Sequence, residues 1–339
     1  MKIAVVGASG YAGAELVEIL CQHSKVSDLQ LLVSENSESS GLLFSDLYPR
    51  MQNVCDIALQ PFSQSWLDDN QDLDAVFFAT PHEYSQQWAY AFTNLAIKVF
   101  DLSGAFRLNE IADYPKYYGF EHHHKQLLTD AVYGLAEWNA ENIAKASLVA
   151  VPGCYPTASL LGLKPLTSNN LQADNSLIVV NGISGVSGAG RKASLATSFN
   201  ELSLKAYNVL QHRHQPEISQ ECGQQVVFNP HIAPFKRGLL STVTLQLKND
   251  VTSAQVDAAF EQAYGNTSLV RIAKTWPQID DVSNSPFASL FWHVDEQLHV
   301  VVVSCAIDNL LKGAASQAIQ CFNLSNGLDS DYALLKGGC

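Results

Sequence analysis

Cys154 is the residue whose surroundings most suggest a reaction. It lies in Val151-Pro152-Gly153-Cys154-Tyr155-Pro156-Thr157, after the apolar run 147–151 and before a helix candidate at 157–163. Pro156 falls in the first turn of that helix, where a missing N–H is harmless. The thiol is therefore expected on a strand-to-helix turn, at the positive end of a helix that favours a thiolate. Cysteines so placed have pKa values of roughly 3.5–7.5 instead of about 8.5. A buried, inert cysteine in a turn is the competing reading, and this segment alone leaves both open.

A second group is His212-Arg213-His214, ahead of Pro216, where a helix is expected to start. Imidazoles can take and return protons near neutral pH. On an extended backbone the two histidines face the same side. A lone histidine is more often structural; the pair beside Arg213 makes an acid/base role worth testing. A third group is Asn181 to Lys192, a glycine- and serine-rich loop closed by Arg191 and Lys192. It reads as a wrap for an anionic ligand or as a flexible linker.

The elements that must hold these groups begin at the N-terminus. Residues 2–6 read as a buried strand, Gly7-Ala8-Ser9-Gly10-Tyr11-Ala12-Gly13 as a turn, and 15–20 as a helix. Small residues there let the backbone approach a pyrophosphate at a helix N-terminus. The spacing is G-x-x-G-x-x-G, not the commoner G-x-G-x-x-G, so context carries the signal. The strand at 29–33 ends at Ser34, where an NAD site usually has a carboxylate. Ser34 points to NADP; Glu35, next to it, opposes a 2′-phosphate. Further strands at 74–80 and 97–103 predict a doubly wound parallel sheet, with ligands at its carboxyl ends. Arg107 is the cation nearest that mouth, suited to a phosphate or carboxylate or to a surface salt bridge.

The second half is richer in strands, at 177–180, 239–247 and 298–304, with an amphipathic helix at 256–264. It predicts an α+β domain with a mixed or antiparallel sheet. A helix is expected to open at Asp308 and run to about Leu324, returning to the first domain. No repeat and no low-complexity segment stands out.

The chain of 339 residues has a net charge of −13, which argues against nucleic acid and anionic membrane as partners. It begins without a recognisable signal peptide, and no apolar run approaches about 18 residues. The seven cysteines include no C-x-x-C pair and read as reduced thiols of a cytoplasmic protein. Cys21, Cys305 and Cys321 are expected in the core and Cys339 at the surface. The run Glu121-His122-His123-His124-Lys125 cannot aim every side chain at one ion, so a solvated loop is expected and no metal.

Taken together, these motifs resemble the N-acetyl-γ-glutamyl-phosphate reductases. They are the glycine turn, Asp101 to Arg107, Val151 to Thr157, Gly185 to Arg191, His212 to Ile218 and Asp308 to Ala314. The likeness covers nearly the whole chain. The related aspartate-semialdehyde dehydrogenases carry their cysteine in a different local motif. The resemblance implies an NADP-dependent oxidoreductase of arginine biosynthesis, a homodimer or homotetramer acting on a small acyl phosphate. It implies a Rossmann domain at 1–153 and 311–339, and a catalytic and oligomerisation domain at 154–310. Cys154 would be the nucleophile and His214 the acid/base, with Arg107, His212, Ser184 and Arg191 at the substrate. Gly7, Ser9, Gly10, Tyr11, Ala12, Gly13, Ser34, Ser187, Gly188 and Asn309 would hold the cofactor. Cys305 stands where many relatives have an aliphatic residue.

Three other functions fit parts of the pattern. They are an aspartate-semialdehyde dehydrogenase, a non-catalytic NADP-sensing Rossmann protein, and a thiol hydrolase using Cys154 and His214. The sensor needs no reactive thiol, and the hydrolase leaves the glycine turn without a purpose.

Overall fold

The computed structural model describes residues 1–335, so Cys339 and its expected exposure lie outside the described residues. The chain forms two compact units, one of residues 1–152 with the chain from Ala314 onward, the other Gly153–Gly313.

The first unit is built on seven strands: β1 Lys2–Val6, β2 Asp28–Ser34, β3 Leu59–Phe62, β4 Ala75–Phe78, β5 Lys98–Asp101, β6 Val132–Tyr133 and β7 Leu148–Ala150. They lie in the order β3-β2-β1-β4-β5-β7-β6, and every pair is parallel. Ile3 of β1 stands between Leu29 of β2 and Ala75 of β4. β4 is buried along its whole length, as expected of a parallel sheet covered on both faces.

The helix Ala315–Ser325 belongs to this core, with every residue except Leu324 buried. Phe322 packs at 5.7 Å from Phe77 and 5.8 Å from Phe100. Two of its buried polar side chains tie it down: Gln320 donates to Glu137, and Asn323 donates to the Ser330 and Tyr332 carbonyls. This helix starts seven residues later than the expected opening at Asp308. The Asp308 carboxylate accepts the amides of Leu310 and Leu311, and that local turn competes with a helix start.

The second unit carries β8 Ile178–Gly185, β9 Lys205–Ala206, β10 Val226–Ala233, β11 Leu239–Gln246, β12 Val270–Ile272, β13 Ala288–Asp295 and β14 Val300–Ile307. Their order is β12-β13-β14-β11-β8-β10-β9. The sheet is mixed: β8 runs parallel to β10 and antiparallel to β11. The helix Cys154–Ser168 lies on it through Ser159, whose hydroxyl is 3.0 Å from that of Ser241, and through Gly162 against Val303 and Val243. The helix Ser253–Tyr264 is fastened to the helix Cys154–Ser168 by the Tyr264 hydroxyl, which donates to the Leu161 carbonyl.

Three local expectations change. The supposed loop 181–192 gives its first five residues to β8. Pairing on both sides overrides the glycine-rich composition, and Gly182 leaves room for the Tyr155 ring, which a Cβ would approach to 2.5 Å. The His122 region is not simply solvated: His122 is buried, 5.2 Å from Phe106 and 4.8 Å from Tyr114 between ring centroids. Cys305 and Cys321 are buried as expected, whereas Cys21 is half-buried. Among the described residues, no group of three or more His, Cys, Asp or Glu is arranged to hold a metal ion. None of their helices is long and apolar enough to cross a membrane.

Candidate active site

The helix Cys154–Ser168 begins at the cysteine itself, with Gly153 as an extended N-cap that has no side chain to offer. The Gly153 N–H is instead taken by a distant residue, Glu217, whose Oε1 accepts it at 3.0 Å. The Gly153 carbonyl accepts both the amide and the hydroxyl of Thr157, at 2.9 Å each. Cys154 is partly exposed. Gly313 crosses it so closely that a Cβ there would be 2.7 Å from the Cys154 Cβ and 2.8 Å from the Asn309 carbonyl oxygen.

Tyr155 anchors the next layer. Its hydroxyl donates to the His231 carbonyl at 2.7 Å. Its ring meets those of His212 and His214, each at 5.9 Å, and that of Phe228 at 5.1 Å. Burial pushes the Tyr155 phenol well above its ordinary range, so it stays protonated.

The pair does not share one extended segment, because His214 is already helical. The helix His214–Cys222 begins at His214, two residues before Pro216, with Arg213 as its cap. A turn precedes it, in which Gln211 N–H donates to the Asn208 carbonyl. The rings are nonetheless neighbours, 4.8 Å apart. His214 N–H donates to His212 Nδ1 at 3.1 Å. With Nδ1 an acceptor, a neutral His212 carries its proton on Nε2. Burial, aided by Arg213, pushes the His212 pKa down to about 4. It is a neutral hydrogen-bonding group at pH 7, not a titrating one. Glu217, fully buried, places Oε2 4.0 Å from His214 Nε2.

Ser184, Ser187, Gly188 and Asn309 gather at the end of β8. Asn309 accepts Gly238 N–H through Oδ1 at 2.7 Å and donates from Nδ2 to Ser187 Oγ at 2.9 Å. A Cβ on Gly188 would stand 3.5 Å from Ser184 Oγ and 3.8 Å from Asn309 Nδ2. Asn309 is held by the protein's own groups, and Ser184 Oγ donates to the Gly185 carbonyl. Arg191 lies in the exposed stretch beyond. Asp308, beside Asn309, accepts Arg237 Nε at 2.5 Å.

In the first unit, Gly7 has φ +89°, and a Cβ on it would fall 2.3 Å from the Ala79 carbonyl oxygen. A Cβ on Gly13 would fall 2.2 Å from the Gly7 carbonyl oxygen. These two glycines let the turn fold flat onto the start of the helix Tyr11–Leu20, which Gly10 caps without a side chain. Ser9, Tyr11 and Ala12 complete the turn and the first helical positions. Tyr48 braces it by donating to the Ser9 carbonyl at 2.9 Å. The open N–H groups of a helix start and a backbone stripped of side chains fit a dinucleotide pyrophosphate. Ser34 and Glu35 are exposed where β2 ends. Arg107 is buried, with Nε on the Val151 carbonyl and one terminal nitrogen on the Leu102 carbonyl, both at 2.8 Å. It binds the ends of β5 and β7 together.

Tyr48 was not singled out from the sequence, and Tyr155 and Glu217 stood there only as members of motifs, without roles of their own. Glu217 left one readable trace, its i,i+3 spacing from His214 on a helix. Tyr48 left none.

Residues 2–146 match the family model described as semialdehyde dehydrogenase, NAD binding domain, and residues 154–309 match semialdehyde dehydrogenase, dimerisation domain. The chain belongs to the semialdehyde dehydrogenase family. Within this family it is 48% identical to an N-acetyl-gamma-glutamyl-phosphate reductase of Pseudoalteromonas atlantica, across 99% of this chain and 98% of that one. It is also 48% identical to one from Pasteurella multocida, across 98% and 99%. It thus stands among the reductases of the semialdehyde dehydrogenase family, which are oxidoreductases. Among solved structures, aspartate semialdehyde dehydrogenase II from Vibrio cholerae shares the fold, with a TM-score of 0.71 and 21% identity over 95% of this chain and 97% of that one. The enzyme from Candida albicans, solved with NADP, has a TM-score of 0.65 at 14% identity over 95% and 99%. The NAD-binding half of the family model covers the glycine turn, and a nicotinamide cofactor follows for this family member.

Proposed function

We propose that this chain reduces N-acetyl-γ-glutamyl phosphate to N-acetylglutamate 5-semialdehyde and phosphate, using NADPH, through a thioester on Cys154. The observation that carries the reading is the position of Cys154 as first residue of a helix, its Gly153 cap tied to a carboxylate that also faces His214.

The thiolate attacks the acyl carbon, the carbonyl electrons move onto oxygen, and their return expels phosphate and leaves the thioester. Covalent attachment divides one hard step into two easier ones. A free carboxylate accepts hydride too poorly to be reduced directly. A nicotinamide cofactor held at the glycine turn and by Ser187, Gly188 and Asn309 would supply the hydride that reduces the thioester carbonyl. The resulting thiohemiacetal loses its hydroxyl proton, the C–S bond breaks, and the aldehyde leaves the thiolate behind. Amides at the helix start are placed to hold the oxyanion, a contribution of about 10²–10³-fold per donor. His214 gives and takes the protons, worth roughly 10²–10⁴-fold. Neutral His212 is suited to hydrogen-bond the substrate, and Arg107, Ser184 and Arg191 to meet its anionic groups. Ser34 at the end of β2 favours a 2′-phosphate over a ribose hydroxyl pair. Ser187, Gly188 and Asn309 would meet the nicotinamide end. The protein would act as a cytoplasmic homodimer or homotetramer, which light scattering distinguishes.

Cys154→Ser tests this. NADPH-dependent turnover of the acyl phosphate, and phosphate-dependent oxidation of the semialdehyde, should fall at least about 10³-fold. Near-normal rates would end the proposal. Running aspartate semialdehyde beside the acetylated substrate tests the chain length, and the acetylated substrate should win.

A further inference from the structure

Glu217 is a fully buried carboxylate that joins two helix starts. Its Oε1 accepts the N–H of Gly153, 64 residues earlier, the residue that caps the helix beginning at Cys154. Its Oε2 faces His214 Nε2 at 4.0 Å, one turn back on its own helix. Burying a carboxylate is costly unless it is paired or bonded. A Ser, Thr or Asn at position 153 would cap the cysteine's helix more cheaply, yet position 153 is glycine.

We infer that Glu217 is a positioning residue that registers the nucleophile and the acid/base to each other, latching Gly153 with one oxygen and holding the His214 imidazolium opposite the other. The inference rests on the reading that Cys154 and His214 perform the chemistry. The geometry gives it a specific electrostatic consequence. A negative charge beside the cysteine's cap opposes a thiolate, while the same charge beside His214 favours its protonated form. The carboxylate therefore stabilises the protonated acid at some expense to the thiolate.

Glu217→Gln keeps the shape and an oxygen for the Gly153 N–H but removes the charge. The kcat should fall roughly 10–100-fold, part of the acid/base contribution, with KM for NADPH unchanged. The alkaline limb of the reductive pH profile, where His214 loses its proton, should move about 1–2 pH units lower. Alkylation of Cys154 by iodoacetamide at pH 7, followed by peptide mapping, should be no slower than in the wild type. Glu217→Asp keeps the charge but is one methylene shorter, so it should lose kcat while leaving the limb nearly in place. A merely structural role predicts that turnover and alkylation fall together with no movement of the limb, and that result would overturn the inference. Cys154→Ser separates the two levels. If it is inactive and Glu217→Gln keeps its wild-type limb, the positioning role alone fails; if it is active, the catalytic reading fails as well.

Discussion

His212 and His214 are two residues apart, yet the structure gives them different surroundings. His212 accepts a backbone amide on Nδ1 and is held neutral, its pKa pushed down to about 4 by burial and by Arg213. His214 stands instead opposite a carboxylate. In an NMR titration, the His212 ring resonances should stay unshifted from pH 8 to pH 5. A His212 that titrates near 6.5 would remove this distinction. The pattern revealed both histidines, and the resemblance implied an acid/base role for His214 and a substrate role for His212. Their different surroundings were not legible, because those depend on Tyr155 and Phe228, brought in from other elements, and on Glu217, one turn along His214's own helix. Gly313 shows the same limit. Nothing in Lys312-Gly313-Ala314 announces a glycine pressed against the cysteine, yet a Cβ there would be 2.7 Å from the Cys154 Cβ. Gly313→Ala should cut kcat by at least about tenfold through displacement of the thiol, with NADPH binding, read by fluorescence titration, intact.

Elements were legible where one local cause sufficed. β1, β2, β4, β5 and β7 are apolar runs bounded by turn residues, and the sequence pattern locates them to within a few residues. β10 was not, because Pro230 argues against a strand. It is tolerated because the outer neighbour, β9, is only two residues long and pairs with Ile232 and His231 but not with Pro230. The glycine turn allows a sharper test. A Cβ on Gly13 would lie 2.2 Å from a backbone oxygen, whereas one on Gly10 meets nothing closer than 3.4 Å. Gly13→Ala should therefore destabilise by about 1–3 kcal/mol in urea unfolding, and Gly10→Ala by less than about 0.5 kcal/mol. Equal losses would mean that the turn is not packed as described. The helix Ala315–Ser325, far in sequence from the sheet it completes, should be as sensitive as any early strand. Phe322→Ala should cost about 3–5 kcal/mol.

For the whole molecule, the doubly wound parallel sheet and the second, mixed sheet were both legible from the succession of strands and helices. The number of strands in the second sheet was not: β9 and β12 are short, β10 carries Pro230, β13 lacks a regular pattern, and all four are completed by pairing. Each unit also buries a histidine, His122 in the first and His212 in the second, both pushed to about 4 mainly by burial. Folded, each stays neutral between that value and the ordinary 6.5, while the unfolded chain takes up protons there. Stability should thus be fully present above about pH 6.5 and decline as pH falls towards 4, by up to about 3 kcal/mol for each histidine. Denaturant melts at pH 7 and pH 5 measure the loss, and His122→Asn or His212→Asn should flatten it. A pH-independent midpoint over that range would show that these rings are not held neutral.

The central claim is that Cys154 takes the acyl group before any hydride moves. The most direct measurement mixes the protein with excess acyl phosphate, without reduced cofactor, and follows phosphate release and the mass of each cysteine peptide. The account predicts a burst approaching one phosphate per active chain and an N-acetylglutamyl adduct on the Cys154 peptide, both abolished in Cys154→Ser. No burst from protein that turns over normally with NADPH, or an adduct on another cysteine, would contradict it.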